Sequence, residues 1–342
     1  MQTCDTLLHA GVLLTQGDDR RVLENAALAI DGGRIVALGY SQDVTAAWQA
    51  REILDLSGML VMPGLVNAHT HAAMTFLRGL ADDMPLMDWL QQKIFPVEQG
   101  LTPDLVRLGS LLGFAEMLRT GTTSCVDMYI FEAAVLEAAD KAGLRCLAGE
   151  GVFNFPSACC PDADAALACT REMAQRWAGH DRLHVAVMPH SVYTTTAAQL
   201  TACRELADEL GLPLHIHLAE TRQETALSLE QHGLRPVAHA DRLGLLRPGT
   251  ILAHVVDVDA DEIALLARRG VSVVHNPSSN MKLASGVAPV PAMLDAGVRL
   301  ALGSDGAASN NRLNMFTEMG RAALLHKAAG DPETMPARTV LD

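Results

Sequence analysis

No stretch of the chain approaches the roughly 18 consecutive apolar residues that a membrane span requires, and the opening Met1-Gln2-Thr3-Cys4-Asp5 lacks the basic segment of a secretory signal. A cytoplasmic location is the expectation. Positive charge is scarce: 26 Lys and Arg stand against 40 Asp and Glu, a formal net charge of −14 at pH 7. Such a balance repels a phosphate backbone and an anionic lipid surface, so no nucleic acid and no membrane is expected as partner, and a small molecule is. There is no C-x-x-C, and the seven cysteines are odd in number, with Cys159 and Cys160 adjacent. Neither a disulfide framework nor a thiolate zinc site is suggested, and the thiols read as reduced and structural. Gly32-Gly33 is a turn, and with no Walker A or G-x-G-x-x-G pattern a nucleotide cofactor is not expected. What is present is ordinary for a folded protein: 49% hydrophobic and 19% charged over 342 residues, enough to bury a large core.

The first part differs from the rest. Apolar alternation over 6–14, 27–30 and 34–38, with Asp31-Gly32-Gly33 between the last two, predicts hairpin strands; 41–50 reads as a short helix and 52–56 as another strand. Residues 1–58 are therefore expected to form a small antiparallel sheet, with 59–342 as the main domain. From residue 60 onward short apolar strands alternate with helical stretches, at 60–66, 123–127, 144–149, 184–189, 213–218, 250–254, 271–275 and 298–303. Thr102 before Pro103 and Asp259 before an apolar stripe closed by Gly270 mark helix ends. Periodicity alone does not separate a closed barrel from an open doubly wound sheet. The polar residues do, because His69, His71, Asp127, His190, His217, Glu220, His254, His275 and Asp305 all fall at or just past the C-terminal ends of expected strands. Those ends converge only in a (β/α)₈ TIM-like barrel, the expected α/β fold.

His69-Thr70-His71 and His215-Ile216-His217 are each two apart on extended segments, so each pair projects to one side. Glu220 follows the second pair and Asp305 sits in Gly303-Ser304-Asp305-Gly306; three of these histidines and one carboxylate, with room for water, form a set suited to one divalent ion, Zn²⁺ or Fe²⁺. Such an ion lowers the pKa of its water toward about 7, which makes hydrolysis the implied chemistry.

The stretch from Pro63 through Asn67-Ala68-His69-Thr70-His71, the segment 215–220, and Gly303-Ser304-Asp305-Gly306 resemble the amidohydrolase superfamily over nearly the whole chain. Met87-Asp88-Trp89-Leu90 with Phe95-Pro96-Val97-Glu98, Met188-Pro189-His190-Ser191, and His275-Asn276-Pro277-Ser278-Ser279-Asn280 look like the 5′-methylthioadenosine/S-adenosylhomocysteine deaminases within it. The resemblance implies that His69, His71, His217 and Asp305 ligate the metal. With no lysine in 184–189 to bridge a second ion, one metal is expected. It further implies that Glu220 protonates the ring nitrogen beside the attacked carbon. His254 would orient the attacking hydroxide, Asp305 would relay its proton to the departing ammonia, Glu98 would accept from ribose hydroxyls, and His190 would contact the nucleoside. A cytidine-deaminase type of zinc site is excluded, since no P-C-x-x-C occurs.

Other polar residues carry blander readings. His215 reads as a packed member of a barrel layer, His275 as an outer contact or simply packed, Asp127 as an outer acceptor, and Trp89 as pocket lining or as core or lid. His9, His180, His184, His232, His239 and His326 have no partner pattern. In the family the N-terminal sheet belongs to a β-sandwich completed by a segment beyond the eighth strand. This chain stops at Asp342, so an incomplete sandwich with exposed edges, and association into a homo-oligomer, are expectations. No arginine occurs in 151–160 to hold a homocysteine carboxylate, which favours methylthioadenosine or adenosine over S-adenosylhomocysteine. Triazine hydrolysis or deamination of another purine would use the same metal core. A non-catalytic binding protein would have no use for Glu220 and Asp305 beside three histidines.

Overall fold

The computed structural model describes residues 1–342, the side chain of Ala329 excepted. Among them no helix is long and apolar enough to cross a membrane. The chain separates into Met1–Gly64, joined by Asp342, and Leu65–Leu341.

The first unit is a four-stranded sheet of β1 (Gln2–Leu14), β2 (Val22–Asp31), β3 (Arg34–Tyr40) and β4 (Trp48–Val61), in the order β3-β2-β1-β4. The hairpin pairings are antiparallel as expected, but β4 runs parallel to β1. The sheet is therefore mixed rather than antiparallel. The helix Ser41–Ala47 is the cause: it carries the chain across the sheet and returns it in the direction of β1. Its Val44 is buried with Cys4, Leu7, Ala27 and Ala29, while Ile35, Val36, Ile53, Leu54, Met59 and Leu60 are exposed.

The second unit holds the alternating strands and helices. The first of its strands is not 60–66: Leu60 and Val61 belong to β4, Pro63 interrupts the ladder because it has no N–H to give, and β5 runs Leu65–Thr70. Then come β6 (Thr122–Tyr129), β7 (Arg145–Val152), β8 (Leu183–Val185), β9 (Met188–Pro189), β10 (Leu214–Leu218), β11 (Thr250–His254), β12 (Ser272–His275) and β13 (Arg299–Leu302). The expected strand 184–189 is split into β8 and β9, both pairing with β7. All these pairings are parallel, in two arcs, β5-β6-β7-β8 and β10-β11-β12-β13. Parallel bridges Val187–Leu214 and Ser191–His217 join the arcs on one side. On the other side the Asp305 amide donates to the His69 carbonyl at 3.0 Å, and Asn67 and Ser304 hydrogen-bond each other twice. The ring is closed, as a (β/α)₈ barrel requires. Gly303 permits that closure, since a Cβ there would sit 2.9 Å from the His69 carbonyl oxygen.

The helix signals act as read. The Thr102 side chain accepts from the Leu105 amide ahead of Pro103–Arg119, and Asp259 forms a capping box with Glu262 ahead of Ala260–Arg269, which ends on left-handed Gly270. Phe114, Met117, Leu136, Leu144 and Leu183 are wholly buried in one part of the core, and Leu200, Leu214, Ile216, Leu252 and Leu266 in another.

Candidate active site

The strand ends bring the expected residues together. His69 is the penultimate residue of β5 and His71 follows it; His217 is penultimate in β10, His254 ends β11, and Glu220 and Asp305 lie in the turns after β10 and β13. Three backbones here are left-handed without being glycine: Ala219 (φ 52°), His254 (φ 76°) and Asp305 (φ 59°). Closely packed surroundings hold that strain, and the side chains of His254 and Asp305 reach the cavity wall while Ala219 packs in the core.

Three imidazoles and one carboxylate meet at the centre. Nε2 of His69 and of His71 lie 3.4 and 3.1 Å from Oδ1 of Asp305, and Nε2 of His217 lies 3.4 Å from that of His71. Tetrahedral zinc with ligands at about 2.0–2.1 Å has ligand-to-ligand edges of about 3.3–3.4 Å, so this spacing already matches coordination. The remaining ring nitrogens are occupied elsewhere. Nδ1 of His71 donates to the Met128 carbonyl, Nδ1 of His217 donates to the His190 carbonyl at 2.7 Å, and Nδ1 of His69 lies 2.9 Å from Nε2 of His215. Each bond leaves the Nε2 lone pair facing the centre. Nε2 of His69 is buried with no hydrogen-bond partner, a cost that a cation removes. The donor set fits a divalent metal ion.

Electrostatics point the same way. Burial pulls His69 down to about 4 and His217 well below the usual range, so both are neutral, ligand-competent imidazoles near pH 7. Burial also opposes ionisation of Asp305, but His69 and His71 outweigh it and hold the carboxyl well below the usual carboxylate range. His71, likewise opposed by burial, is pushed up to about 9 by the facing Asp305, and an arriving cation takes the place of that proton.

Around this centre lies a cavity whose wall includes His71, Glu98, His190, His217, Glu220, His254 and Asp305. Oε2 of Glu220 is 3.8 Å from Nε2 of His254, and Ser285 donates to its other oxygen at 3.3 Å; burial raises its pKa. Nδ1 of His254 donates to Oδ1 of Asn280 at 2.8 Å. Glu98 comes from a helical run, Leu86–Trp89, Leu90–Ile94 and Phe95–Glu98, whose middle turn widens to π-helical spacing just ahead of Pro96, which has no amide hydrogen for an ordinary turn. Burial lifts Glu98 to about 7 against the pull of Tyr129 and His71. The ring of His190 stacks at a tilt on Phe153, 4.9 Å between centroids, and its Nδ1 meets Thr194 Oγ1 at 2.9 Å. Trp89 both lines the cavity and belongs to the core.

Several residues matter more than their sequence context indicated. His215, read as barrel packing, orients His69. Ser279 and Ser309 donate to Oδ2 of Asp305 at 2.6 and 2.9 Å, leaving Oδ1 for the centre; Ser279 and Asn280 sit in the 275–280 stretch already singled out. Asp127, read as an outer acceptor, does accept, from the Ala72 amide at 2.7 Å, and so fixes the backbone after His71. Glu224 does the same for Glu220, accepting from the amides of Ala219 and Glu220 at 2.8 and 2.7 Å. Its signal was Thr221-Arg222-Gln223-Glu224, a capping-box pattern whose glutamate reaches past the N-cap. His275 does not join the cluster: it is buried beside His326, 5.5 Å between centroids, with both ring nitrogens unpartnered among the described residues.

The chain is 64% identical over 343 residues to a 5-methylthioadenosine/S-adenosylhomocysteine deaminase of Desulfovibrio desulfuricans, covering 100% of this chain and 78% of the relative. It is 57% identical over 342 residues to the protein of the same name from Lawsonia intracellularis, with 100% and 78% covered. Among solved structures, an adenosine deaminase from Xanthomonas campestris with bound zinc superposes with a TM-score of 0.97 at 43% identity, over 99% of this chain and 78% of that one. An atrazine chlorohydrolase from Arthrobacter aurescens, with a TM-score of 0.89 at 24% identity over 98% and 80%, shares the fold. The amidohydrolase family model matches residues 60–342, and the chain belongs to the amidohydrolase family.

Proposed function

We propose that the protein is a metal-dependent aminohydrolase that converts an adenosine-type nucleoside, 5′-methylthioadenosine first, to the inosine derivative and ammonia. One observation carries this: a single cavity presents a metal-type donor set, Glu220 and His254 together, with Glu98 as a further carboxylate on its wall. The names of the relatives at 64% and 57% identity support it.

His69, His71, His217 and Asp305 would hold one divalent ion, zinc before iron. Bound there, the ion supplies a water whose pKa falls toward about 7. An aromatic amine leaves poorly until addition breaks the ring conjugation, so the surrounding residues act on protons. Glu220, whose pKa burial raises, gives its proton to the ring nitrogen beside the attacked carbon. His254, held by Asn280, orients the attacking oxygen. Asp305 takes one proton of the water and delivers it to the amine, which leaves as ammonia. The other proton, on the new hydroxyl, returns to Glu220 as the carbonyl forms, and the balance closes.

Glu98, on the cavity wall, would accept from ribose hydroxyls, and His190, also on the wall, would contact the nucleoside. Beside the central cavity lies a second, lined by Met87, Leu90, Phe95, Gln99, Asn154 and Phe155 among others. Among the described residues neither wall includes Arg or Lys, so a neutral thioether is favoured there over the charged end of S-adenosylhomocysteine. The test is ammonia release by metal-replete protein from methylthioadenosine, S-adenosylhomocysteine, adenosine, guanine and a triazine. Adenosine derivatives should lead, methylthioadenosine among them. A guanine or triazine rate above all three adenosine compounds overturns the reading.

A further inference from the structure

Away from the histidine centre the barrel carries a second concentration of metal-ligating groups. The sequence gives no reason to expect one, because the cysteines involved form no C-x-x-C. Cys159 and Cys160 are neighbours in the loop after β7. The fold brings them to Glu150, the antepenultimate residue of β7. A carboxylate oxygen of Glu150 and the Sγ atoms of Cys159 and Cys160 all lie within 4.8 Å of one another. The seven cysteines are all free.

We propose that Cys159, Cys160 and Glu150 form a second metal site, for a thiophilic divalent ion of the zinc class. Two sulfurs and one oxygen are three donors of a tetrahedral set, with the fourth position left for water, and Zn–S bonds of about 2.3 Å put sulfurs about 3.8 Å apart, a spacing the 4.8 Å limit accommodates. Glu150 is wholly buried, and its oxygens accept from the amides of Phe131 and Glu132 at 3.1 and 2.9 Å. Those bonds use one lone pair on each oxygen, leaving another to coordinate, and they offset part of the negative charge that two thiolates bring. The turn that carries the thiols is preformed: the Ser157 amide donates to the Cys160 carbonyl, and the Cys160 amide to Ser157 Oγ, both at 2.9 Å. Little ordering remains for the ion to impose.

The site would tie the loop 153–162 to β7. That loop carries Phe153, which lines the central cavity, and Phe155, which lines the adjoining one; the two rings pack at 5.1 Å between centroids. An ion here would fix one wall of the substrate space without contacting the reacting atoms.

The experiment is titration of the reduced protein with Cd²⁺ alone, followed by the ultraviolet thiolate-to-cadmium charge-transfer band, to which histidine and carboxylate ligands contribute nothing. A band saturating within two equivalents is expected, because the histidine centre takes up one ion without adding to it; the band should be abolished in the Cys159→Ser/Cys160→Ser double variant and intact in Cys4→Ser and Cys203→Ser. A wild-type protein without the band, or a double variant that keeps it, overturns the proposal. Should the double variant fail to fold, alkylation of wild-type protein mapped by mass spectrometry decides. Two equivalents of Cd²⁺ should slow labelling of Cys159 at least tenfold, and equal labelling with and without cadmium refutes the site.

Discussion

Nδ1 of His69 sits 2.9 Å from Nε2 of His215, with both rings fully buried and their planes 19° from parallel. Because Nε2 of His69 must offer its lone pair to the centre, its Nδ1 carries the hydrogen and His215 is the acceptor. A second imidazole thus sets the tautomer of the first.

It follows that His215→Phe, which fills the space but cannot accept, should weaken metal retention by about 10–100-fold. Chelator competition measures this directly. Turnover at saturating metal should fall less than metal affinity does, and unchanged affinity would reassign His215 to packing.

Glu220→Gln keeps the shape of the side chain and removes the proton it donates. Its oxygens contact Ser285 and His254 rather than the donor set. We expect kcat to drop by about 10²–10⁴, with metal content by elemental analysis equal to that of the parent. Loss of the ion together with activity would place Glu220 in the coordination set instead.

Glu98 should act on binding rather than on chemistry. Glu98→Ala is expected to raise KM for a ribonucleoside by about 10–100-fold, as for a hydrogen bond to a charged acceptor, and to change KM little for the 2′,3′-dideoxy analogue. Its pKa, raised to about 7, gives a sign as well: the ionised acceptor grows in as pH rises through 7, so KM for the ribonucleoside falls over that interval. A pH-independent KM would separate Glu98 from the ribose.

His239 tests stability far from the centre. It is 1% exposed, it stacks on His232 at 3.9 Å, and its Nδ1 accepts from the Arg242 guanidinium at 3.0 Å. Burial, with His232 and Arg242 adding to it, lowers its pKa to about 4. The unfolded chain therefore binds a proton that the native one refuses between about pH 6.5 and 4. The stabilisation is complete above about 6.5 and is lost as pH falls through 4. Urea midpoints for His239→Gln should decline less steeply across that window, by at most one proton, about 1.4 kcal/mol per pH unit. A variant with the parent's slope refutes the assignment.

Much of the barrel was legible because parallel strands buried on both faces read as short apolar runs, and because histidines two apart on a strand must share a side. Where reading failed, the cause was local. Apolar residues run unbroken from β4 to Val61 and Met62, so the first barrel strand was placed early, and only Pro63 marks the break. The parallel return of β4 was invisible because alternation reports faces, not direction. His215 was ambiguous in principle, since a buried histidine on a barrel strand has the same pattern whether it packs or orients a neighbour. The grouping of Cys159 and Cys160 with Glu150 depends on how a loop folds back onto the strand before it, which spacing does not encode.

The ring of strands is joined on one side by Asn67 with Ser304 and by the His69 carbonyl with the Asp305 amide. His69 and His71 therefore lie at one end of a long loop in the chain and Asp305 at the other, with His217 between them, and no subset of early strands can assemble all four. Cation uptake during synthesis or refolding should accordingly come last, once β13 has docked, making metal capture a timer for completion of the barrel.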